Sequence, residues 1–233
     1  MIREGESGRD AESEAERLTR EGMQLLAGIR APHDRAAAAE RFRRAAALGH
    51  AIAANQLGAM LEHGEGVGRD MKEARAAYRI AADAGLAIAQ HNLGFMFHTG
   101  RGGAIDLEAA RHWYGRAAAQ DEPTASLNLG ILVARGEGGP RDVRAGYALM
   151  ERAAALGEAR AAFNLGTIHA GGHDVAIDFV SAVGWFRRAQ ALGHAQAAAE
   201  IRKCLSVMSD EERSRALESV DENSGHAVPG TRR

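Results

Sequence analysis

A leucine-glycine step returns every 36 residues along the chain: Leu57-Gly58, Leu93-Gly94, Leu129-Gly130 and Leu165-Gly166. One period earlier stands Gly22, preceded by Glu21, and one period after Leu165 stands Ile201. A fixed internal period of a few tens of residues is the signature of stacked supersecondary units, none of which can bury its apolar face alone. It restricts the chain to a repeat architecture before any single residue is interpreted.

The same step carries four further series. Asp34, Asp70, Asp106, Asp142 and Asp178 form one; Gly28, Gly64, Gly100, Gly136 and Gly172 form another. Phe42, Tyr78, Tyr114, Met150 and Phe186 make a bulky series, and Gly49, Gly85, Asp121, Gly157 and Gly193 a fourth. Each has a physical reading. The Asp stands where a helix begins, its carboxylate accepting from free backbone N–H groups and complementing the dipole. The two turn series stand where helices stop and a residue adopts positive φ, Asp121 replacing glycine because Asp tolerates that conformation better than most residues. Glycine inside a first helix, as at 58, 94, 130 and 166, costs about 1 kcal/mol against alanine, so its recurrence implies close approach by a neighbouring helix. The bulky series is expected to fill the space between pairs.

The unit is therefore helix, Gly-rich turn, Asp-capped helix, Gly turn. Pairs are expected at about 13–48, 51–84, 87–120, 123–156 and 159–192, with a capping helix at 195–207. "SDEE" then opens a helix over 208–220, with Ser209 as N-cap and Glu212 three residues on. Residues 1–12 and 221–233 are polar and are expected as a disordered arm and tail. Composition agrees with an all-α chain. The 45% hydrophobic content is dominated by alanine, aromatics are only 5%, and long β-branched runs are absent.

A net charge of −2 gives no global electrostatic case for nucleic acid or an anionic membrane. Only Lys72 and Lys203 are lysines among 29 cationic residues, a bias that fits a GC-rich bacterial genome. The single cysteine, Cys204, cannot form an intramolecular disulfide, which fits a reducing compartment. No apolar stretch reads as a signal segment or reaches the ~18 residues of a spanning helix, so a cytoplasmic location without membrane insertion is expected.

The pattern A-x-x-x-L-G, then G-x-G-V-x-x-D-x-x-x-A, then W-Y-x-x-A-A and a closing Gly resembles the Sel-one-like repeat (SLR) family, relatives of tetratricopeptide repeats. "AIAANQLGAMLEHGEGVGRDMKEARAAYRIAADAG" (51–85) is the fullest copy, and "HWYGRAAAQ" (112–120) and "GWFRRAQALGHAQA" (184–197) carry the Trp-aromatic pair. The likeness covers roughly residues 15–200. At the position where an aromatic is usual the chain carries Leu61, Phe97, Val133 and His169, and repeat five reads "GGHDV" in its turn. The resemblance implies a right-handed α-solenoid of antiparallel helix pairs whose first helices line a concave groove. On that geometry the partner-binding residues are Asn55, His91, Phe95, His98, Leu127, Ile131, Arg135, Arg160, Phe163 and Thr167. Phe95, Leu127, Ile131 and Phe163 would form an apolar strip, and exposed strips of that kind mark binding sites.

The resemblance further implies a non-enzymatic adaptor that holds a partner protein or peptide segment, in bacterial signalling or regulation, with no cofactor. Two alternatives stand beside it: a complex subunit bound through its convex face, and a hydrolase like the secreted relatives described as acting on β-lactams. Those relatives carry a cysteine pair in each repeat, which this chain lacks. His91 and His98 lie about two turns apart, ~10.5 Å along a helix, too far to hold one metal ion alone. His169, His173 and Asp174 share a turn in "HAGGHD", where histidines beside glycines are ordinary loop residues. Cys204 reads as a small buried hydrophobe. Phosphate-loop and nucleophile motifs are absent, and "GEGVG" and "GRGG" recur as inter-helix turns. The sequence leaves oligomeric state open.

Overall fold

The computed structural model describes residues 4–29 and 33–223, and every element among them is helical. The twelve helices are α1 (Glu4–Ala27), α2 (Arg35–Ala47), α3 (Ala51–His63), α4 (Met71–Asp83), α5 (Ala87–Thr99), α6 (Leu107–Ala118), α7 (Pro123–Arg135), α8 (Val143–Ala155), α9 (Ala159–Gly171), α10 (Phe179–Ala191), α11 (Ala197–Val207) and α12 (Asp210–Asn223). First helices α3, α5, α7 and α9 start 36 residues apart, as do second helices α4, α6, α8 and α10. The chain is thus an all-α helical-repeat protein. It forms two compact units, one running to Ala125 with Gly136–Pro140, the other taking Ser126–Arg135 and the chain from Arg141.

Capping explains where each second helix begins. Asp34, Asp106, Asp142 and Asp178 accept from the backbone N–H three residues on, and Asp70 accepts from both Lys72 and Glu73. Each such cap stabilises its helix by about 0.5–2 kcal/mol. The helix stops follow the same register. Gly64 ends α3 at φ 74°, and Asp121 takes φ 59° where its counterparts Gly85 and Gly157 take 96° and 95°.

The glycine of the Leu-Gly step is explained by close approach. A Cβ on Gly58 would stand 2.8 Å from the ring of Tyr78, and one on Gly94 the same distance from Tyr114. Each aromatic therefore packs on the glycine of its own first helix. The bulky series fills the space within a pair, where the sequence reading placed it between pairs: one helical face cannot hold both a Tyr and a facing side chain. A second close approach ties successive pairs. A Cβ at Gly66, Gly102 or Gly138 would fall 2.2–2.3 Å from the backbone carbonyl of Arg35, Met71 or Leu107.

The core is built largely of alanine and the bulky series. In the first unit Phe42, Tyr78 and Tyr114 are buried among alanines such as Ala38, Ala74, Ala81 and Ala110. In the second unit Met150 and Phe186 take that place, packed with Leu165, Ala161 and Val183.

Two boundaries differ from expectation. Of residues 1–12, expected as a disordered arm, 4–12 continue α1, helped over 9–12 by the Glu, Arg and Ala of 9–17, and 1–3 lie outside the described residues. At the other end α12 runs three residues past 220, and 224–233 lie outside the described residues. The α12 start is a capping box: Ser209 N–H donates to Glu212 Oε2 at 2.8 Å, and Glu212 N–H donates to Ser209 Oγ at 3.3 Å. The Ser209 N–H, joined by the Ser209 hydroxyl donating to Glu212 Oε2 at 2.9 Å, holds the Glu212 carboxyl below its ordinary value. No helix among the described residues is long and apolar enough to cross a membrane.

Candidate interaction faces of the first helices

In the first unit, Asn55 on α3 and Asn92 on α5 join neighbouring first helices, the Asn92 amide donating to Asn55 Oδ1 at 3.2 Å. About two turns further on, Glu62 is a junction. Tyr78 Oη donates to Glu62 Oε2 at 3.0 Å and Arg101 Nη1 to Glu62 Oε1 at 2.6 Å. Burial first, then the Glu62 charge, pushes the Tyr78 phenol well up, so it remains a donor. Arg101 also lies over Phe95, its guanidinium carbon 4.9 Å from the ring centroid. Phe95 is half-buried on the open side of α5, whose opposite side buries Leu93, Met96 and Phe97.

The two histidines of α5 share one neighbour. Tyr114 of α6 lies with its ring centroid 5.8 Å from His91 and 6.2 Å from His98, and its hydroxyl is 3.5 Å from His98 Nδ1. A two-turn spacing that is too wide for one metal ion is suited to bracketing one tyrosine ring.

In the second unit the expected residues separate. Ile131 and Phe163 are half-buried, and Arg135, Arg160 and Thr167 are exposed. Arg160 Nε pairs with Glu158, the α9 N-cap, at 3.1 Å, and Thr167 Oγ1 donates to the Phe163 carbonyl. Leu127 does not belong to a surface. It is only 2% exposed and packs with Met150, Leu165 and their alanines, so it supports the core. A side chain two residues before the leucine faces out in α3 and α5, but in α7 it turns under its neighbours. Phe163 is also partly covered, stacked on His194 at 4.0 Å and tilted against Phe186 at 5.3 Å.

Sequence reasoning missed Arg101 and Tyr78 as parts of the α5 face. The signal was there in part, since Tyr78 and Glu62 stand 16 residues apart within one pair, as do Tyr114 and His98. Among the described residues no group of three or more His, Cys, Asp or Glu is placed to hold a metal ion. Asp174 instead pairs with Arg141 at 2.5 Å, and the His173 carbonyl accepts from Tyr147 Oη. Cys204 is 4% exposed, and burial pushes its thiol up, away from a nucleophilic thiolate.

Capped helix pairs with shared first-helix faces define a class, the helical-repeat proteins that offer side chains along stacked helices. The Sel1 repeat model matches at 25–50, 51–86, 87–122, 123–158 and 159–194, and the chain belongs to the Sel1 repeat family. Similar solved structures include a Sel1 repeat protein from Oxalobacter formigenes, 26% identical over 90% of this chain and 88% of that one, with a TM-score of 0.72. An immunity protein from Pseudomonas aeruginosa is 18% identical over 91% of this chain and 82% of its own, at a TM-score of 0.53. A second immunity protein from the same organism is 19% identical over 88% and 81%, at 0.50. No curated protein matches the chain by sequence. Sel1 repeat proteins are generally protein-interaction scaffolds and typically not enzymes.

Proposed function

We propose that this chain is a non-enzymatic adaptor, acting in bacterial signalling or regulation, that holds a segment of a partner protein against the exposed faces of its first helices. The observation that carries this reading is Phe95. It is a half-buried apolar ring on the open side of α5, opposite the buried Leu93, Met96 and Phe97, and Ile88 of the same helix is 52% exposed. Phe163 and Ile131 give the second unit a comparable, partly covered apolar surface. Asn55, His91, His98, Arg135, Arg160 and Thr167 would supply the polar contacts around these anchors.

The test is affinity capture with wild type and with a Phe95→Glu, Phe163→Glu variant whose helicity and melting match wild type. A partner held by wild type and lost by the variant supports the reading, and one held equally by both overturns it.

A second reading, attachment through the second helices, is favoured by Ile80. It is 41% exposed on α4, at a position where the other pairs carry Arg44, Arg116, Arg152 and Arg188. Ile80→Arg would abolish capture under that reading and leave it unchanged under the first.

A further inference from the structure

The polar chemistry beside Phe95 narrows what a partner segment must offer. Glu62 is the only carboxylate within α3 and α5, whereas His63, His91 and His98 lie on those helices; in the turns that follow, Arg69 and Arg101 stand with Glu65, which pairs with Arg35, and with Asp70 and Asp106, which cap the next helices. The Glu62 side chain is sealed, 14% exposed, with one oxygen on Tyr78 and the other on Arg101. Arg101 is the outward half of that pair, at 43%. A solvent-side ligand therefore meets the guanidinium and not the acid.

The guanidinium is also held in place before any ligand arrives. One Nη1 hydrogen bond fixes it to Glu62, and its carbon lies over the Phe95 ring. A guanidinium has five N–H donors in a rigid fork, and this side chain makes no other hydrogen bond among the described residues. Preorganisation removes the rotamer cost that usually erodes the worth of an exposed arginine.

We propose that Arg101 reads a carboxylate of the partner segment, so that the α5 face selects an acidic side chain seated over Phe95. This inference rests on the adaptor reading and adds the chemistry of the segment. The carboxylate accepts from the Arg101 N–H groups that Glu62 leaves open, and its stem lies beside the Phe95 ring that the guanidinium covers. A lysine-bearing segment would find the one carboxylate of α3 and α5 already closed off.

The test is selection of a random dodecapeptide display library against the full-length chain, followed by binding measurements on the selected peptides. Wild type is expected to enrich peptides with an Asp or Glu whose change to Asn or Gln lowers affinity about tenfold or more, an effect that falls with added salt. Arg101→Gln should still select peptides, but without the acidic preference and with an apolar residue favoured there, because the variant uncovers the Phe95 ring. Arg101→Lys should keep part of the preference, losing the fork and not the charge. Arg101→Gln and Arg101→Lys both keep an N–H donor for Glu62, so their thermal melting should stay close to that of wild type.

Peptides that lose binding with Phe95→Glu yet show no acidic preference would overturn this inference and leave the adaptor reading standing. An acidic preference that Arg101→Gln keeps would overturn it as well. Failure to select any peptide sensitive to Phe95→Glu would overturn both.

Discussion

Two kinds of helix pair are built on one repeat. In pairs two and three the bulky residue of the second helix is Tyr78 or Tyr114, and its hydroxyl reaches Glu62 or His98, five residues after the leucine of the first helix. In pairs four and five the bulky residue is Met150 or Phe186, and the position five after the leucine is Ala134 or Ala170. Ala134 packs with Met150 and Ala170 lies against the Phe186 cluster. A hydroxyl comes with an acceptor, and an apolar group comes with a methyl. The repeat therefore varies in coupled pairs of positions, because an unpartnered buried hydroxyl or carboxylate costs more than either substitution alone.

Mixing the two kinds should cost most. Ala134→Glu places a carboxylate beside Met150, where no hydroxyl answers it and Gly146 leaves no room, and should lower stability by about 3 kcal/mol in urea unfolding. Adding Met150→Tyr should recover part of that loss. If the double variant is no more stable than Ala134→Glu alone, the coupling is wrong.

Gly58→Ala comes next. The new methyl meets the Tyr78 ring, and overpacking should outweigh the gain in helix propensity, for a net loss of about 1–2 kcal/mol. Gly115→Ala supplies the contrast. Nothing lies within 4 Å of its Cβ position, so the same change should stabilise α6 by up to about 1 kcal/mol.

Glu62→Ala should cost about 1–2 kcal/mol by stranding the Tyr78 hydroxyl, and much less in a Tyr78→Phe background. Tyr114→Phe should cost less than Tyr78→Phe, since its partner is an imidazole nitrogen at 3.5 Å and not a carboxylate at 3.0 Å.

The smallest effect is in alkali. The Tyr78 phenol is raised in the folded chain, so its neutral form is favoured there. Its contribution is complete below the unfolded value of about 10 and is lost as pH climbs above it. Wild type should therefore keep its stability advantage over Tyr78→Phe up to about pH 10 and lose it progressively as the pH rises further. An advantage unchanged across that rise would show that Tyr78 titrates normally.

The frame of this molecule was legible because caps and stops are local. An aspartate three residues ahead of an N–H, or a residue forced to positive φ, leaves its mark in the sequence wherever it occurs, even at Asp121 where glycine is replaced. The candidate face was legible only in part. Phe95 could be placed on the open side of α5 by helical period, but its cover, Arg101, arrives from the following turn. Leu127 has the same register as Asn55 and His91, and only the packing around α7 shows that it is buried. The histidines at 91 and 98 gave no hint of Tyr114 between them, since their meeting depends on how closely two helices approach at Gly94.

The turns that follow α3, α5 and α7 also set a direction. Gly66 rests on the Arg35 carbonyl, Gly102 on that of Met71 and Gly138 on that of Leu107, each reaching back to a helix already synthesised. Arg35, Met71 and Leu107 are each the first residue of a second helix, so every one of these turns is seated at the start of the second helix before it, and a side chain at the glycine would push the two pairs apart.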